Sequence, residues 1–425
     1  MTKQESNAEQ SVLVAIDIAK KVNEVLIEIP GQNTRKRFRV ANRKADYHDL
    51  ATFLHGLGAP VRVAFEPTGM YHRPIAHFLR SEGFDISMVS SVALSRVREA
   101  RHNSWDKNDP KDAQVILELL KSGMTIRYYD PHVHGINDIQ ELSQTYHQLS
   151  LAKTRLQHSL LSHYLPLYFP EAERFYHSSR SRWLAEMLLE FPTPGAITAL
   201  SLDEFLARAW PLARRRVNKT AMLTEFYRMA QESIAVPAAL DSQAVAMFRS
   251  VLGRYRDLCV ARDELEDRIE TILSEHPDYR RYLTVPGVGP IVALTVLAEA
   301  GDVRRFSHHR QFLKFCGFDL ATQQSGEHRG ATRLSKRGNA RIRTALWLAA
   351  SVAIRLPENS FRAKFTRYVR RDPTDADLRR KAFTAVAAKI ARVIHSLAKS
   401  DSVYRPFHEE AVPSGRTSLN GPSRH

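Results

Sequence analysis

The sequence predicts an α/β unit followed by a longer, almost wholly α-helical one. Two patterns carry this reading. Up to about residue 130, short apolar runs interleave with segments of helical spacing; beyond it the strand signals fade and apolar residues recur every three or four positions. A third observation bears on partners: 62 Lys and Arg against 46 Asp and Glu leave the 425-residue chain with a formal net charge of +16. Such an excess points first to a polyanion, with an anionic membrane surface as the competitor. At roughly 150 residues per domain the length allows about three domains, and 43% hydrophobic with 25% charged residues suits an ordinary core.

Val12 to Asp17 is an apolar run that ends in a carboxylate, and Val22 to Ile29 and Lys36 to Val40 alternate as two further strands. Ala45 to Leu57 has helical spacing. Val61 to Phe65 is a strand with Glu66 just past its end. Tyr71 to Glu82 follows as a helix, Asp85 to Ser90 as a strand, and then two helices. This order suggests a mixed sheet flanked by helices over residues 10–130, as in ribonuclease H-like domains, though many α/β domains share it.

Residues 131–276 read as a coiled-coil region. Ile139, Leu142, Tyr146, Leu149, Lys153, Leu156, Leu160 and His163 form one heptad seam, which Pro166 and Pro170 end. Val245, Phe248, Leu252, Tyr255, Leu258, Arg262, Leu265, Ile269 and Ile272 form a second, with a register shift at Tyr255. An antiparallel hairpin, a dimerising coil, or two helices on a common core would all carry such seams. Between them, residues 171–236 read as an irregular helical insertion with the basic cluster Arg214-Arg215-Arg216. A helical, basic unit spans 277–405, and the Ser-, Gly- and Pro-rich tail 411–425 reads as disordered.

No apolar run reaches the ~18 residues of a spanning helix, since Pro286, Gly287, Gly289 and Pro290 interrupt the best candidate. The polar start MTKQESNAEQ does not read as a signal peptide. Two cysteines, Cys259 and Cys316, exclude a disulfide scaffold or a cysteine zinc site and fit a reducing compartment, with burial as small apolar residues expected.

Four acids could hold a divalent metal. If the strands that end at Asp17 and Glu66 are neighbours, both carboxylates meet at one edge of the sheet. Asp109 and Asp112, three apart at a helix start, can face the same way. Four hard oxygen donors would suit Mg²⁺. Each also has a plain reading: strand-end acids, an N-cap at Asp109 before Pro110, and a favourable charge at the positive helix end for Asp112. Asp106 could replace either of the last two.

In the last unit Val285-Pro286-Gly287-Val288-Gly289 precedes an apolar helix, Ile291 to Ala300. Two glycines there let backbone N–H groups approach a phosphate, as in helix-hairpin-helix elements; a structural corner would need similar glycines. Gln324-Ser325-Gly326 through Arg329, Arg333, Ser335-Lys336-Arg337-Gly338-Asn339 and Arg341 alternates small and basic residues. Arg and Lys can hold a phosphodiester while a hydroxyl attacks it. Ser325 is the preferred hydroxyl and Ser335 the rival, which could instead cap the helix that begins near Asn339.

Taken together these segments resemble the DEDD transposases of the insertion-sequence-110 family, which includes the Piv-type DNA invertases. The resemblance rests on Ala15 to Lys20, Phe65 to Tyr71, Lys107 to Ala113, Val285 to Gly289, Arg310-Gln311-Phe312, and Ser325-Gly326 through Arg329-Gly330 to Asn339. Gln323-Gln324 before Ser325 and Pro67 after Glu66 depart from the common pattern. The resemblance implies a RuvC-like ribonuclease H fold with Asp17, Glu66, Asp109 and Asp112 as catalytic, metal-binding tetrad. It implies a coiled-coil linker and a C-terminal transposase domain, mostly helical, with Ser325 as nucleophile. Gly287, Gly289, Arg329, Arg333, Lys336, Arg337 and Arg341 would bind nucleic acid. Mg²⁺, with Mn²⁺ as substitute, would be the cofactor. Donor and target double-stranded DNA, a structured noncoding bridge RNA, and further copies of the chain in dimers and tetramers would be the partners, in a bacterial or archaeal cytoplasm at the nucleoid. Family members cut one strand, form a serine–phosphate link and pass the 3′-hydroxyl to the partner duplex. The alternatives are a RuvC-like structure-specific nuclease, a Piv-type invertase without guide RNA, and a non-catalytic DNA-binding protein on a decayed nuclease fold.

Overall fold

The computed structural model describes residues 11–102, 109–176, 182–213, 218–321, 324–325, 328–329, 333–335 and 337–406. The chain forms two compact units, Met1–Gly135 and Ile136–His425.

The first unit is built on a six-stranded sheet of order β3-β2-β1-β4-β5-β6. Its strands are β1 (Val12–Asp17), β2 (Val22–Glu28), β3 (Lys36–Ala41), β4 (Val61–Phe65), β5 (Asp85–Met88) and β6 (Ile126–Arg127). β1, β4 and β5 run parallel; β2 is antiparallel to β1, β3 to β2, and β6 to β5. β1 is covered on both faces, which is why it reads as an unbroken apolar run rather than an alternation. Val12, Val14 and Ile16 enter a core shared with helices α1 (Lys44–His55) and α2 (His72–Ser81). Leu13 and Ala15 enter a second core with α3 (Ser91–His102) and α4 (Asp109–Lys121). Every strand and helix predicted up to residue 121 is present; the two-residue β6 carries too little pattern to be read.

Among the described residues the second unit is mostly helical, with four two-residue strands. Helix α5 (Asn137–Ser159) passes through a π turn, Leu160–Tyr164, into the short α6 (Leu165–Tyr168). Pro166 therefore does not end the helical path. It sits in the first turn of α6, where a missing N–H costs little, and the π turn supplies the change of register. The extra residue rotates the face by one position, so that Tyr164 reaches the core and His163 is exposed.

Helices α7 (Arg182–Glu190), α8 (Pro194–Thr198), α9 (Leu202–Ala209) and α10 (Lys219–Gln231) follow. They pack Phe169, Phe191, Phe205 and Phe226 against Phe248 and Tyr255 of α11 (Gln243–Leu273). The basic cluster Arg214-Arg215-Arg216 lies outside the described residues.

α5 and α11 pack antiparallel. The Tyr146 hydroxyl donates to Glu266 at 2.9 Å, Lys153 lies over the Tyr255 ring at 5.7 Å, and Leu160 shares a core with Leu252. The inward residues of α11 run Val245, Phe248, Leu252, Tyr255, Cys259, then Ile269 and Leu273. The register shift expected at Tyr255 is absent. Cys259 rather than Leu258 continues the seam, and Leu273 rather than the 46% exposed Ile272 ends it. The polar middle of the seam, around Lys153 and Glu266, hid the true period.

The rest of the unit comprises α12 (Pro277–Leu283), α13 (Pro290–Ala300), α14 (His309–Phe315), β7 (Leu320–Ala321), β8 (Gln324–Ser325), β9 (His328–Arg329), β10 (Arg333–Leu334), α15 (Ala340–Ala353), α16 (Ser360–Val369) and α17 (Ala376–Ser400). α13 is mostly buried, against α5 and α15. Both cysteines are buried and unpaired, and burial pushes each thiol above its ordinary range. Among the described residues no helix is long and apolar enough to cross a membrane.

Candidate functional site

In the first unit the strand register sets two of the predicted acids side by side. β1 and β4 are parallel neighbours, with Ile16 opposite Phe65, so Asp17 at the end of β1 stands beside Glu66 just past β4. Alternation along β1 turns Asp17 to the face that α4 covers, after Leu13 and Ala15. Ala64 lies on that same face, and Glu66 follows it in phase.

The axis of α4 sets the level of the third acid. Lys121 at its C-terminal end pairs with Glu28, which lies opposite Leu13 at the start of β1. Nine helical residues back to Asp112 span about 13 Å, and four strand residues from Leu13 to Asp17 span about 13 Å as well. Asp112, at the other end of α4, therefore lies toward the end of the sheet where β1 terminates, on the face that α4 covers.

Asp112 is buried and already holds a cationic group: Arg98 of α3 donates to its two oxygens at 2.8 and 3.2 Å. Among the described residues no three His, Cys, Asp or Glu side chains are grouped closely enough to hold a metal ion. The Asp109 side chain and all of Asp106 lie outside the described residues. The donor chemistry nonetheless fits a hard divalent cation, since Asp17, Glu66 and Asp112 offer only carboxylate oxygens at one end of the sheet.

In the second unit one glycine of the predicted phosphate loop, Gly287, has a packing role. Gly287 has φ +86, and a Cβ there would lie 2.3 Å from the Ala349 carbonyl oxygen and 2.7 Å from the Ala353 nitrogen. It lets the turn after α12 press on the backbone of α15. Gly289 caps α13, and a Cβ on it would meet nothing.

Ser325 lies on β8, paired antiparallel with His328 of β9, while Gln324 pairs with Arg329. The side chains of Ser325 and Arg329, and all of Lys336, lie outside the described residues. Arg333 and Arg337 are exposed. Arg341 is turned inward, to Glu299, Gln144 and Ser143, so the structure gives it an internal role where the sequence suggested a nucleic-acid contact. Ser335 does not cap the following helix. Its hydroxyl accepts from the Arg337 N–H at 3.4 Å, and Asn339 caps α15.

One cationic surface escaped the sequence reading. Lys364 and Arg367 of α16 face Lys389 and Arg392 of α17, and among the described residues none of the four has an ion-pair partner. Burial and then the neighbouring arginines hold the Lys364 ammonium below the ordinary lysine range. Lys389 is shifted the same way by burial and then by Lys364, Arg392 and Arg367. The signal available in the sequence was a cation pair three apart on each of two helices.

Comparison with known proteins finds two family matches, the first of which spans the first unit and continues into the second. The DEDD transposase model of the IS110 type matches residues 14–170, and the model of the transposase IS116/IS110/IS902 family matches residues 279–366. A Streptomyces coelicolor mini-circle protein named as a transposase for IS117 is 28% identical, over 81% of this chain and 84% of its own length. A Pseudomonas aeruginosa protein named as a family 20 transposase is 28% identical over 92% of this chain and 98% of its own. The transposase for insertion sequence element IS1111A of Coxiella burnetii is 29% identical over 33% of this chain and 44% of its own.

Proposed function

Because the chain belongs to the IS110 family of DNA transposases, we propose that it cuts and rejoins DNA through a serine–phosphate link, with Ser325 as nucleophile and Asp17, Glu66, Asp109 and Asp112 as the acidic set. The observation that carries the reading is the parallel register of β1 and β4, which sets Asp17 beside Glu66. The sheet order supports a RuvC-like, ribonuclease H-type first unit.

A divalent cation held by the four carboxylates, Mg²⁺ or Mn²⁺, would stabilise the charge on the phosphate and on the departing oxygen. The Ser325 oxygen attacks phosphorus, its bond to phosphorus forms, the P–O3′ bond breaks, and the 3′-oxygen leaves with a proton. The ester keeps the bond energy of the phosphodiester, so a 3′-hydroxyl of the partner duplex can reverse the step and free the serine without a nucleotide cofactor. Exposed Arg333 and Arg337, near Ser325 in the chain, are suited to hold phosphates around it. Gly287 and Gly289 serve the corner that carries α13. The family likeness extends the proposal to a structured guide RNA and to assembly of copies in dimers and tetramers, and the net charge of +16 suits a load of RNA and two duplexes.

Two experiments test this. The protein is purified from cells that carry its flanking DNA, and the RNA that comes with it is sequenced; one discrete structured RNA encoded beside the gene is expected, whereas random cellular RNA would remove the guide. The DNA so identified is then incubated with Mg²⁺ and run under denaturing conditions. A protein–DNA adduct is expected, absent in Ser325→Ala and reduced on the order of 100-fold or more in Asp17→Asn. Undiminished adduct in Ser325→Ala would overturn the nucleophile, and cleavage without any adduct would make the protein a nuclease.

A further inference from the structure

A second feature of the first unit lies at the same end of the sheet as the acids. The chain leaving β1 after Asp17 and the chain leaving β4 after Glu66 both turn toward the α1–α2 side. There they line a groove of about 560 Å³ with the start of α1. Its size falls within the roughly 300–1,000 Å³ typical of ligand sites. Lys20, Arg43 and Lys44 supply three cations, and no carboxylate lines it.

Met70 and Tyr71 line its other side and are large apolar groups left in water, 62% and 44% exposed. They are presented by a tight turn in which Gly69 has φ +51 and the Tyr71 N–H donates to the Thr68 carbonyl at 3.3 Å. The floor is fixed by hydrogen bonds. Asn42 accepts from the Tyr47 hydroxyl at 2.8 Å and donates to the Ala19 and Lys20 carbonyls at 3.0 Å, which holds the Lys20 loop in place. Arg43 is oriented by Asp46 at 2.9 Å, while among the described residues Lys20 and Lys44 make no ion pair.

We propose that this groove seats an unpaired DNA nucleotide next to the cleavage point, its base on Tyr71 and Met70 and its phosphates on Lys20 and Lys44. The inference deepens the proposed function and rests on it for the position of the cleavage point. The chemistry selects the ligand. A paired base hides its faces in the stack, whereas an extruded or single-stranded one offers a flat π surface to an exposed ring, with anionic phosphates on either side for the lysines. A duplex backbone alone would leave Met70 and Tyr71 without a role.

The test uses the full-length protein in EDTA, with a short single-stranded DNA that carries one 2-aminopurine, and reads both binding and fluorescence quenching. The parent protein is expected to bind and quench. Tyr71→Ala should lose the quenching and bind roughly 5- to 100-fold more weakly, while Tyr71→Trp should keep both. The double variant Lys20→Ala/Lys44→Ala should lower the salt slope of log Kd by about 1.4, two single-strand phosphate contacts. Binding and quenching by Tyr71→Ala equal to the parent would overturn the proposal, as would preference for the duplex or for the matching RNA strand. Asp17→Asn and Ser325→Ala should quench as the parent does. If those two variants also retain strand cleavage, the proposed function fails, and with it the groove's place beside the cleavage point, while nucleotide binding in the groove stands; if they lose cleavage and Tyr71→Ala binds normally, only the groove fails.

Discussion

Asp278 shows how a single residue can be costly to change without touching the site. It is buried at the start of α12, where Arg304 donates to it at 2.7 and 3.0 Å and Arg281 at 2.7 Å. Burial by itself would raise the carboxyl, but the two guanidinium groups hold it below the ordinary range. Its contribution to stability is therefore complete above the unfolded value near pH 4 and is lost as pH falls from there through the depressed folded value. Asp278→Asn should cost about 2–3 kcal/mol at pH 7, the lower side of what breaking a buried pair costs, since Arg304 reaches solvent. Urea unfolding at pH 7 and pH 3 checks this: the gap between parent and variant should shrink at pH 3, and an equal gap at both would refute the ion-pair account. At Asp112 the same logic of a buried acid that needs a cation is met by Arg98. The sequence could pick out Asp112 by its place three residues after Asp109, but Arg98, fourteen residues away on another helix, had no signal.

At the scale of elements, the turn between α12 and α13 separates a packing glycine from a permissive one. Gly287→Ala should destabilise the protein by about 2–4 kcal/mol, because φ +86 and the contact with Ala349 both forbid a Cβ. Gly289→Ala, at ordinary φ with open space around it, should melt like the parent. Thermal melting compares the two; equal midpoints would remove the packing role. The central strands of the first unit were legible because β1 and β4 are covered on both faces and so are written mostly in apolar residues, with Arg62 and the terminal Asp17 as the exceptions. The seam of α11 was legible from Val245 to Tyr255 and misread beyond it, at Leu258 and Ile272. There Lys153, 4% exposed, lies over Tyr255 and Tyr146 is bonded to Glu266, so polar groups hold positions that a pattern search reserves for apolar ones. The π turn before Pro166 left no local mark, because a one-residue change of register is a response to packing.

Over the whole molecule the charge has its own consequence. With a formal net charge of +16, binding to any duplex should fall steeply with salt, with log Kobs losing about 0.9 per phosphate neutralised for each unit of log[salt]. Filter binding between 50 and 300 mM salt measures it, and a slope shallower than about −3 would mean that few of these cations meet DNA. What the sequence determined by itself was the class of each unit, the order of strands and helices, the acids at two strand ends, a charge that suits a polyanionic partner and the family resemblance. These follow from local periodicity, from charge, and from motifs carried on contiguous residues. What only the tertiary structure decided was adjacency: that β1 and β4 are neighbours in a register that sets Asp17 beside Glu66, that Arg98 and Glu299 hold Asp112 and Arg341, and that Lys20, Lys44 and Tyr71 share a groove. Each of these joins residues distant in the chain. Their meeting is set by strand register and helix packing, which depend on the whole buried surface and leave no mark at any one position.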